Sequence, residues 1–244
     1  FSTEVAKTWV KACQEAGHKL IDYNGVTQTG TSLFQVNMRN GTRVSSNKGY
    51  LHPIKHRSNL HVMKNSLVTK ILSDGKKTIN GVEFINNNKH FKVFAEKEVI
   101  ISAGTINSPQ LLMLSGIGPK EHLEEMKIPL IQDLKVGYNL MDHVSTGGVI
   151  FTLYKQNFSL STRAIFNNIS IFLEYLNYRT GPLTVPGGGE ALTFVDLQNP
   201  LSTDGWPDME IIFAGSALNG DPSAKINVGV KNQLYNAVFE TIGD

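Results

Sequence analysis

The first sixty residues alternate between a helical pattern and shorter strand-like patterns. Apolar residues recur at helical spacing over 4–16, which predicts an amphipathic helix that Gly17 ends. Polar and apolar residues then alternate over 31–38, which is typical of a strand. The Asn-Gly pair at 40–41 is a strong hairpin signal and predicts a returning strand at 42–44.

The stretch 60–95 predicts an antiparallel meander. Turn signals separate its strand-like runs: Asp74-Gly75 marks one turn, and three asparagines at 86–88 mark a hairpin tip. The runs themselves lie at 60–63, 67–72, 81–85 and 91–95.

Residues 98–104 differ because their apolar run is continuous. Such a run predicts a central strand that is buried on both faces, as in a parallel sheet. Ser108-Pro109 predicts the start of a helix with Ser108 as N-cap, and Gly116 predicts its end. A short helix is expected at 120–126.

The charge-free stretch 99–119 is long enough to span a membrane. Its content argues against a span, because Asn107, Gln110 and Pro109 interrupt the apolar character. A buried strand followed by a buried helix is the interpretation that this composition favours.

The character of the chain changes after about residue 145, and we expect a domain boundary between 145 and 155. An aromatic-rich helix is predicted at 165–178, ended by 179–182, and residues 186–189 form a glycine-rich loop. Strands are predicted at 191–197 and 209–214.

Composition narrows the function classes further. The chain has 244 residues, 18% charged, and 23 Lys and Arg against 21 Asp and Glu. The low charged fraction excludes a charge-rich disordered chain. The near-equal numbers of basic and acidic residues give no indication of a nucleic-acid-binding surface. Cys13 is the only cysteine, so neither an intramolecular disulfide nor a two-cysteine zinc site can form. We expect Cys13 to be a small core residue, with a reactive thiol as the alternative.

Several common catalytic and nucleotide-binding motifs do not occur in the sequence. It contains no G-x-S-x-G nucleophile elbow, no P-loop and no complete G-x-G-x-x-G fingerprint. A nucleotide cofactor would therefore need its main phosphate loop elsewhere.

Two groups of polar residues are candidates for chemistry. His52, His56 and His61 are close enough in sequence to be considered as metal ligands. However, a proline follows His52, and His61 is expected on a strand, so the three side chains are not expected on one face. Surface or loop histidines are therefore favoured, and no metal site is predicted. Asp142-His143 fits either an orienting pair for catalysis or a polar loop pair.

The stretch 98–143 carries a family resemblance. Residues 104–118 read GTINSPQLLMLSGIG, and 136–143 read VGYNLMDH. These segments resemble the glucose–methanol–choline (GMC) family of flavin oxidoreductases. Within that family, the sequence is most similar to the insect glucose dehydrogenase-like branch. The resemblance is firm over roughly residues 1–180.

The resemblance implies a mixed α/β fold. We expect an FAD-binding doubly wound sheet with an antiparallel meander, and part of a substrate domain with an antiparallel sheet and helices, incomplete at both ends. The expected domains are 1–148, a partial FAD-binding domain, and 149–244, a partial substrate-binding domain.

The resemblance also implies an activity. Family members transfer a hydride from the CH–OH group of an alcohol or sugar to FAD, so the expected partner is a small-molecule alcohol or sugar, with no nucleic acid and no membrane span. We expect this stretch by itself to be inactive. A non-catalytic binding protein that keeps the GMC fold is the alternative.

Four residues are predicted to contact FAD. Val68 aligns with the family position whose backbone contacts the adenine end. Ala103 and Gly104 are small enough for the backbone to approach a flat cofactor. Ser108 marks a helix start whose N–H groups and dipole favour a polar or anionic edge. Without the resemblance, residues 103–108 would read as an ordinary strand–helix turn.

No catalytic residue is predicted in this chain. The family base is a histidine with a second His or Asn near the C-terminus, and no histidine here matches that position. Asn40, Asn157 and Asn168 lie in N-x-[ST] sequons, which together with the resemblance favour a secreted protein.

Overall fold

The computed structural model describes residues 1–145, 149, 151, 153, 160, 165–185, 189–202 and 205–215. The chain divides into two compact units. The first unit comprises Phe1–Lys55 with Thr146–Asp244, and the second comprises His56–Ser145. One break coincides with the boundary expected near 145, whereas the functional domains 1–148 and 149–244 stay a prediction.

The elements follow one another in a mixed helix and strand order. The helices are α1 (Glu4–Glu15), α2 (His52–Ile54), α3 (Gly104–Leu114), α4 (Lys120–Glu125) and α5 (Ile169–Tyr178), with a π-helical turn at Asn47–Leu51 and a 3₁₀ turn at Pro182–Thr184. The strands are β1 (Gly30–Leu33), β2 (Met38–Arg39), β3 (Thr42–Arg43), β4 (Ser66–Ser73), β5 (Ile79–Asn86), β6 (Lys89–Phe94), β7 (Ile117–Gly118), β8 (Gln132–Asp133), β9 (Gly189–Val195) and β10 (Met209–Ala214).

Helix α1 confirms the first amphipathic pattern. Thr3 is its N-cap, and the Thr3 side chain accepts a hydrogen bond from the Ala6 N–H. At the other end Gly17 adopts φ +100°, and its N–H and that of His18 donate to the carbonyls of Gln14 and Cys13. These two bonds form a Schellman motif, which explains why a glycine ends the helix here.

The core of the first unit lies between α1 and the antiparallel sheet β1-β9-β10. Trp9 stacks on Phe213 with ring centroids 5.0 Å apart. Cys13 is buried, and its Sγ lies 3.3 Å from the Thr193 Oγ1, which itself donates to the Thr31 Oγ1 at 2.9 Å. Cys13 is thus the core residue that its position on the helix predicts.

The hairpin at Asn40-Gly41 is confirmed. Met38 pairs with Arg43 and Arg39 with Thr42, and the two turn residues adopt φ of +50° and +64°. The strand predicted over 31–38 is divided, because β1 stops at Leu33 and β2 begins at Met38.

Helix α5 and the last two strands confirm the C-terminal predictions with shifted limits. The predicted helix 165–178 is interrupted at 167–168, and Asn168 becomes the N-cap of α5. Arg179 ends α5 in the left-handed conformation. Of the three asparagines in sequons, Asn40 and Asn168 are exposed, and Asn157 lies outside the described residues, so secretion stays a prediction. Residues 186–188 of the predicted glycine-rich loop also lie outside the described residues.

The second unit contains the predicted meander. Strands β4, β5 and β6 form an antiparallel sheet in that order, joined at the Asp74-Gly75 turn and at Asn87-Asn88. The strand predicted at 60–63 is wrong: these residues form no ladder, and Met63 is 64% exposed. The sequence pattern there is strand-like, but no strand among the described residues lies beside it to accept the hydrogen bonds.

Two predictions near residue 100 are also wrong. Residues 98–103 form no strand, and Ile100 is 77% exposed, because within the described residues no neighbouring strand pairs with them. The following helix begins at Gly104 instead of Ser108, so Pro109 lies inside α3. The helix ends as predicted, with Ser115 as C-cap and Gly116 at φ +87°. Strands β7 and β8 then pair in parallel around α4, whose Leu123 is fully buried.

Candidate functional site

Val68 lies on β4 directly before a β-bulge. Val68 pairs with Phe84 and Lys70 pairs with Glu83, which leaves Thr69 as the extra residue on β4. The Thr69 Oγ1 donates to the Glu83 carbonyl at 3.3 Å. A bulge bends its strand and changes the direction of the neighbouring side chains, and such bulges are frequent beside binding sites.

Ala103, Gly104 and Ser108 come together at the start of α3. The Ala103 N–H donates to the Ser108 Oγ at 3.0 Å, so Ser108 holds the helix start from inside the helix rather than as its N-cap. Gly104 adopts φ +91°, a backbone conformation that residues other than glycine rarely adopt. A Cβ built on Gly104 would have no heavy atom within 4 Å, so open space lies beside this backbone.

The electrostatics at this helix start favour an anionic or polar group. No acidic residue lies in the first turn of α3, and no charged side chain lies between 99 and 119. The N–H groups of the first turn carry the positive end of the helix dipole, and no carboxylate of the described residues accepts a hydrogen bond from them.

Ser115 connects the element that carries Gly104 to the element that carries Val68. Its Oγ accepts the Ile71 N–H at 2.8 Å and donates to the Leu111 carbonyl at 2.6 Å. Ser115 is buried and Ile71 is only 2% exposed. The structure therefore places β4 against α3, while Val68 remains on a separate element from residues 103–108.

Sequence reasoning missed Ser115 and Thr69. Ser115 belongs to the segment 104–118 that carried the resemblance, but a spacing argument cannot show that its hydroxyl completes the hydrogen bonding of a strand. The extra residue of a bulge leaves no sign in the pattern of 67–72, which reads as an uninterrupted strand.

The other candidate residues form no catalytic constellation. The Asp142 carboxylate accepts the backbone N–H of its neighbour His143 at 2.7 Å, and both residues are exposed, as expected of a polar loop pair. His52 lies on α2, whereas His56 and His61 lie outside helices and strands. Among the described residues, no group of three or more His, Cys, Asp or Glu side chains could hold a metal ion.

Comparison with known proteins identifies the family. The sequence pattern described as GMC oxidoreductase matches residues 2–145. The chain belongs to the GMC oxidoreductase family. Its N-terminal family domain is the FAD-binding domain, so the GMC resemblance and the FAD assignment made from residues 98–143 are confirmed.

Two curated GMC relatives match over long stretches. Glucose dehydrogenase [FAD, quinone] of Drosophila pseudoobscura pseudoobscura is 35% identical over 215 residues, which is 84% of this chain and 32% of the relative. Mitochondrial choline dehydrogenase of Homo sapiens is 42% identical over 138 residues, 56% of this chain and 23% of the relative. The chain thus spans about a third or less of the length of these relatives.

A solved structure confirms the fold class. Pyridoxine 4-oxidase from Mesorbium loti superposes with a TM-score of 0.71 at 21% identity, over 87% of this chain and 37% of the other. The mixed α/β class with an antiparallel meander is therefore confirmed. Within the described residues, no helix has both the length and the apolar character needed to cross a bilayer.

The residues at the start of α3 fit part of an FAD molecule. Open space beside the Gly104 backbone and the small Ala103 side chain leave room for a flat group, and the free N–H groups of α3 suit a polar edge. The chain contains no G-x-G-x-x-G loop for the pyrophosphate, so these residues can hold only a portion of the cofactor.

Proposed function

We propose that the protein is an FAD-dependent oxidoreductase that acts on the CH–OH group of an alcohol or sugar. Residues 1–148 would belong to its FAD-binding domain and 149–244 to its substrate-binding domain. The observation that carries the proposal is the GMC oxidoreductase match over 2–145, within which residues 104–118 build α3 and its open N-terminal end.

Each predicted contact residue has a defined part in this proposal. The Val68 backbone would contact the adenine end, since the bulge at Thr69 interrupts the ladder directly beside it. Ala103 and Gly104 would let the backbone approach the cofactor closely, and the Ser108 hydroxyl keeps the first turn of α3 in place through the Ala103 N–H. Bound FAD supplies the hydride acceptor, which no amino-acid side chain provides.

The names of the curated relatives support the substrate class. Glucose and choline, the substrates named in the two dehydrogenases, each carry an alcohol group. The shared chemistry is oxidation of CH–OH, and it is this class, rather than either compound, that we extend to the present protein.

The test is to purify the full-length protein and measure its flavin. We expect a yellow protein that releases FAD on denaturation and whose visible flavin absorbance is lost when an alcohol or sugar from a panel is added without oxygen. A colourless, folded protein that cannot be reconstituted with FAD would contradict the proposal. Bound FAD that no alcohol or sugar reduces would instead indicate a non-catalytic protein with the GMC fold.

A further inference from the structure

A cavity of about 430 Å³ lies in the second unit. It is formed by the second half of β4, the turn that follows it, and the loop before β8. Its size falls in the range of small-molecule pockets, about 300–1,000 Å³. Neither Val68 nor any residue of 103–108 contributes to its lining.

Four of the lining residues are apolar, and hydrogen bonds hold the backbone of two of them. Ile71 and Leu72 contribute from β4, and Leu130 and Ile131 contribute from the loop. The N–H groups of Ile71 and Ile131 are bound by the Ser115 Oγ at 2.8 Å and the Gly116 carbonyl at 2.7 Å. Two of the walls are therefore fixed by the same turn at the end of α3.

The turn wall is also ordered by hydrogen bonds. The Asp74 carboxylate accepts the backbone N–H groups of Lys76 at 2.8 Å and Thr78 at 3.1 Å. Lys77 adopts φ +67°, and its ammonium group reaches the Gln132 side-chain oxygen on β8 at 2.8 Å. The turn is thus tied to β8, which follows the loop that lines the cavity.

The charge on the rim is positive. Lys70 and Lys77 line the cavity, and no acidic residue does. Within the part of the chain that the structure describes, neither ammonium group pairs with a carboxylate: Glu83, which faces Lys70 across the ladder, pairs with Lys92 and His90. The nearby Asp74 and Asp133 carboxylates accept backbone N–H groups.

We propose that this cavity binds an organic anion with an apolar body. The four apolar lining residues would contact an aromatic or aliphatic body, while Lys70 and Lys77 would attract its charge. Because an ammonium group is a point charge without the bidentate geometry of a guanidinium, carboxylate, sulfonate and phosphate head groups would be accepted alike.

The experiment compares two probes that share a naphthalene body, one with an anionic head group and one with a neutral head group. Naphthalene-1-sulfonate and the neutral naphthalene-1-sulfonamide are titrated into the full-length FAD-loaded protein by calorimetry. We expect the sulfonate to bind about tenfold more tightly, since two exposed ion pairs are added. Raising the salt concentration should remove this preference in the unmodified protein.

Variants locate the site. The double variant Lys70→Gln/Lys77→Gln should lose the preference for the sulfonate, and Leu130→Ser should weaken both probes. Lys76→Gln is the matched control, because Lys76 lies in the same turn but does not line the cavity. Equal affinity for the two probes in the unmodified protein, or a preference that survives the double variant or is lost in Lys76→Gln, would overturn the proposal.

Discussion

In the first unit, Glu190 joins the start of α1 to the sheet. It is 3% exposed at the start of β9, and its carboxylate accepts the Thr3 backbone N–H at 2.7 Å and the Thr3 hydroxyl at 2.6 Å. Thr3 is also the N-cap of α1, so a negative charge lies at the positive end of that helix. One side chain therefore satisfies the helix start and joins it to the sheet.

We predict that Glu190→Ala lowers the free energy of unfolding by about 2–4 kcal/mol. The substitution removes two charge-assisted hydrogen bonds and leaves the buried Thr3 N–H without a partner. The measurement is chemical denaturation of the full-length protein. Glu15→Ala is the control, because Glu15 is exposed and its contact with Lys11 is 3.8 Å long; its cost should be about 0–1 kcal/mol. Equal losses in the two variants would show that the Thr3 contact contributes nothing special.

This contact could not be predicted from the sequence. Thr3 directly precedes the helix predicted at 4–16, and Glu190 lies 187 positions later, directly before the strand predicted at 191–197. Local patterns identify a capping residue, but the distant carboxylate that binds it becomes visible only when the fold brings the two together.

At the scale of elements, the hydroxyl of Ser115 joins α3 to β4. We predict that Ser115→Ala destabilises the full-length protein by about 1–3 kcal/mol, because the buried Ile71 N–H loses its acceptor. Ser45→Ala makes the same chemical change at an exposed position, where the Oγ accepts the Lys48 N–H at 3.3 Å, and should change stability by about 0.5 kcal/mol or less. A melting experiment in which both variants behave alike would remove Ser115 from this role.

Elements with local signals could be predicted, and those that depend on distant partners could not. The hairpin at 40–41, the meander from 66 and the end of α3 each have turn or cap residues at the correct place. Residues 98–103 have the apolar composition of a central strand, but a strand forms only where neighbouring strands accept its hydrogen bonds. The sequence pattern therefore indicates the conformation that these residues favour, but it does not show whether a neighbouring strand is present to pair with them.

The start of α3 shows the same limit. Ser108-Pro109 is a strong N-terminal signal, yet the helix begins four residues earlier, and the Ser108 hydroxyl binds the Ala103 N–H across the first turn. The predicted site residues 103, 104 and 108 are brought together as a consequence of this shift, although the helix limit predicted for them was wrong. Their contact with FAD stays a prediction.

At the scale of the whole molecule, the chain covers about a third of its glucose dehydrogenase relatives. Helix α3 has no charged residue, and none of its side chains is buried among the described residues. Helices of this composition are normally covered. We expect the bound cofactor to cover the Gly104 end in the full-length protein.

The FAD content of two glycine variants tests this account most directly. Gly104 and Gly75 have similar φ values, +91° and +80°, and a Cβ at either would meet no heavy atom within 4 Å, so alanine strains the backbone similarly at both. We predict that Gly104→Ala weakens FAD binding by the full-length protein about tenfold or more, because its methyl group would occupy the space that the cofactor needs. Gly75→Ala should bind FAD as the unmodified protein does. Equal FAD affinity in the two variants would contradict the placement of the cofactor at the start of α3.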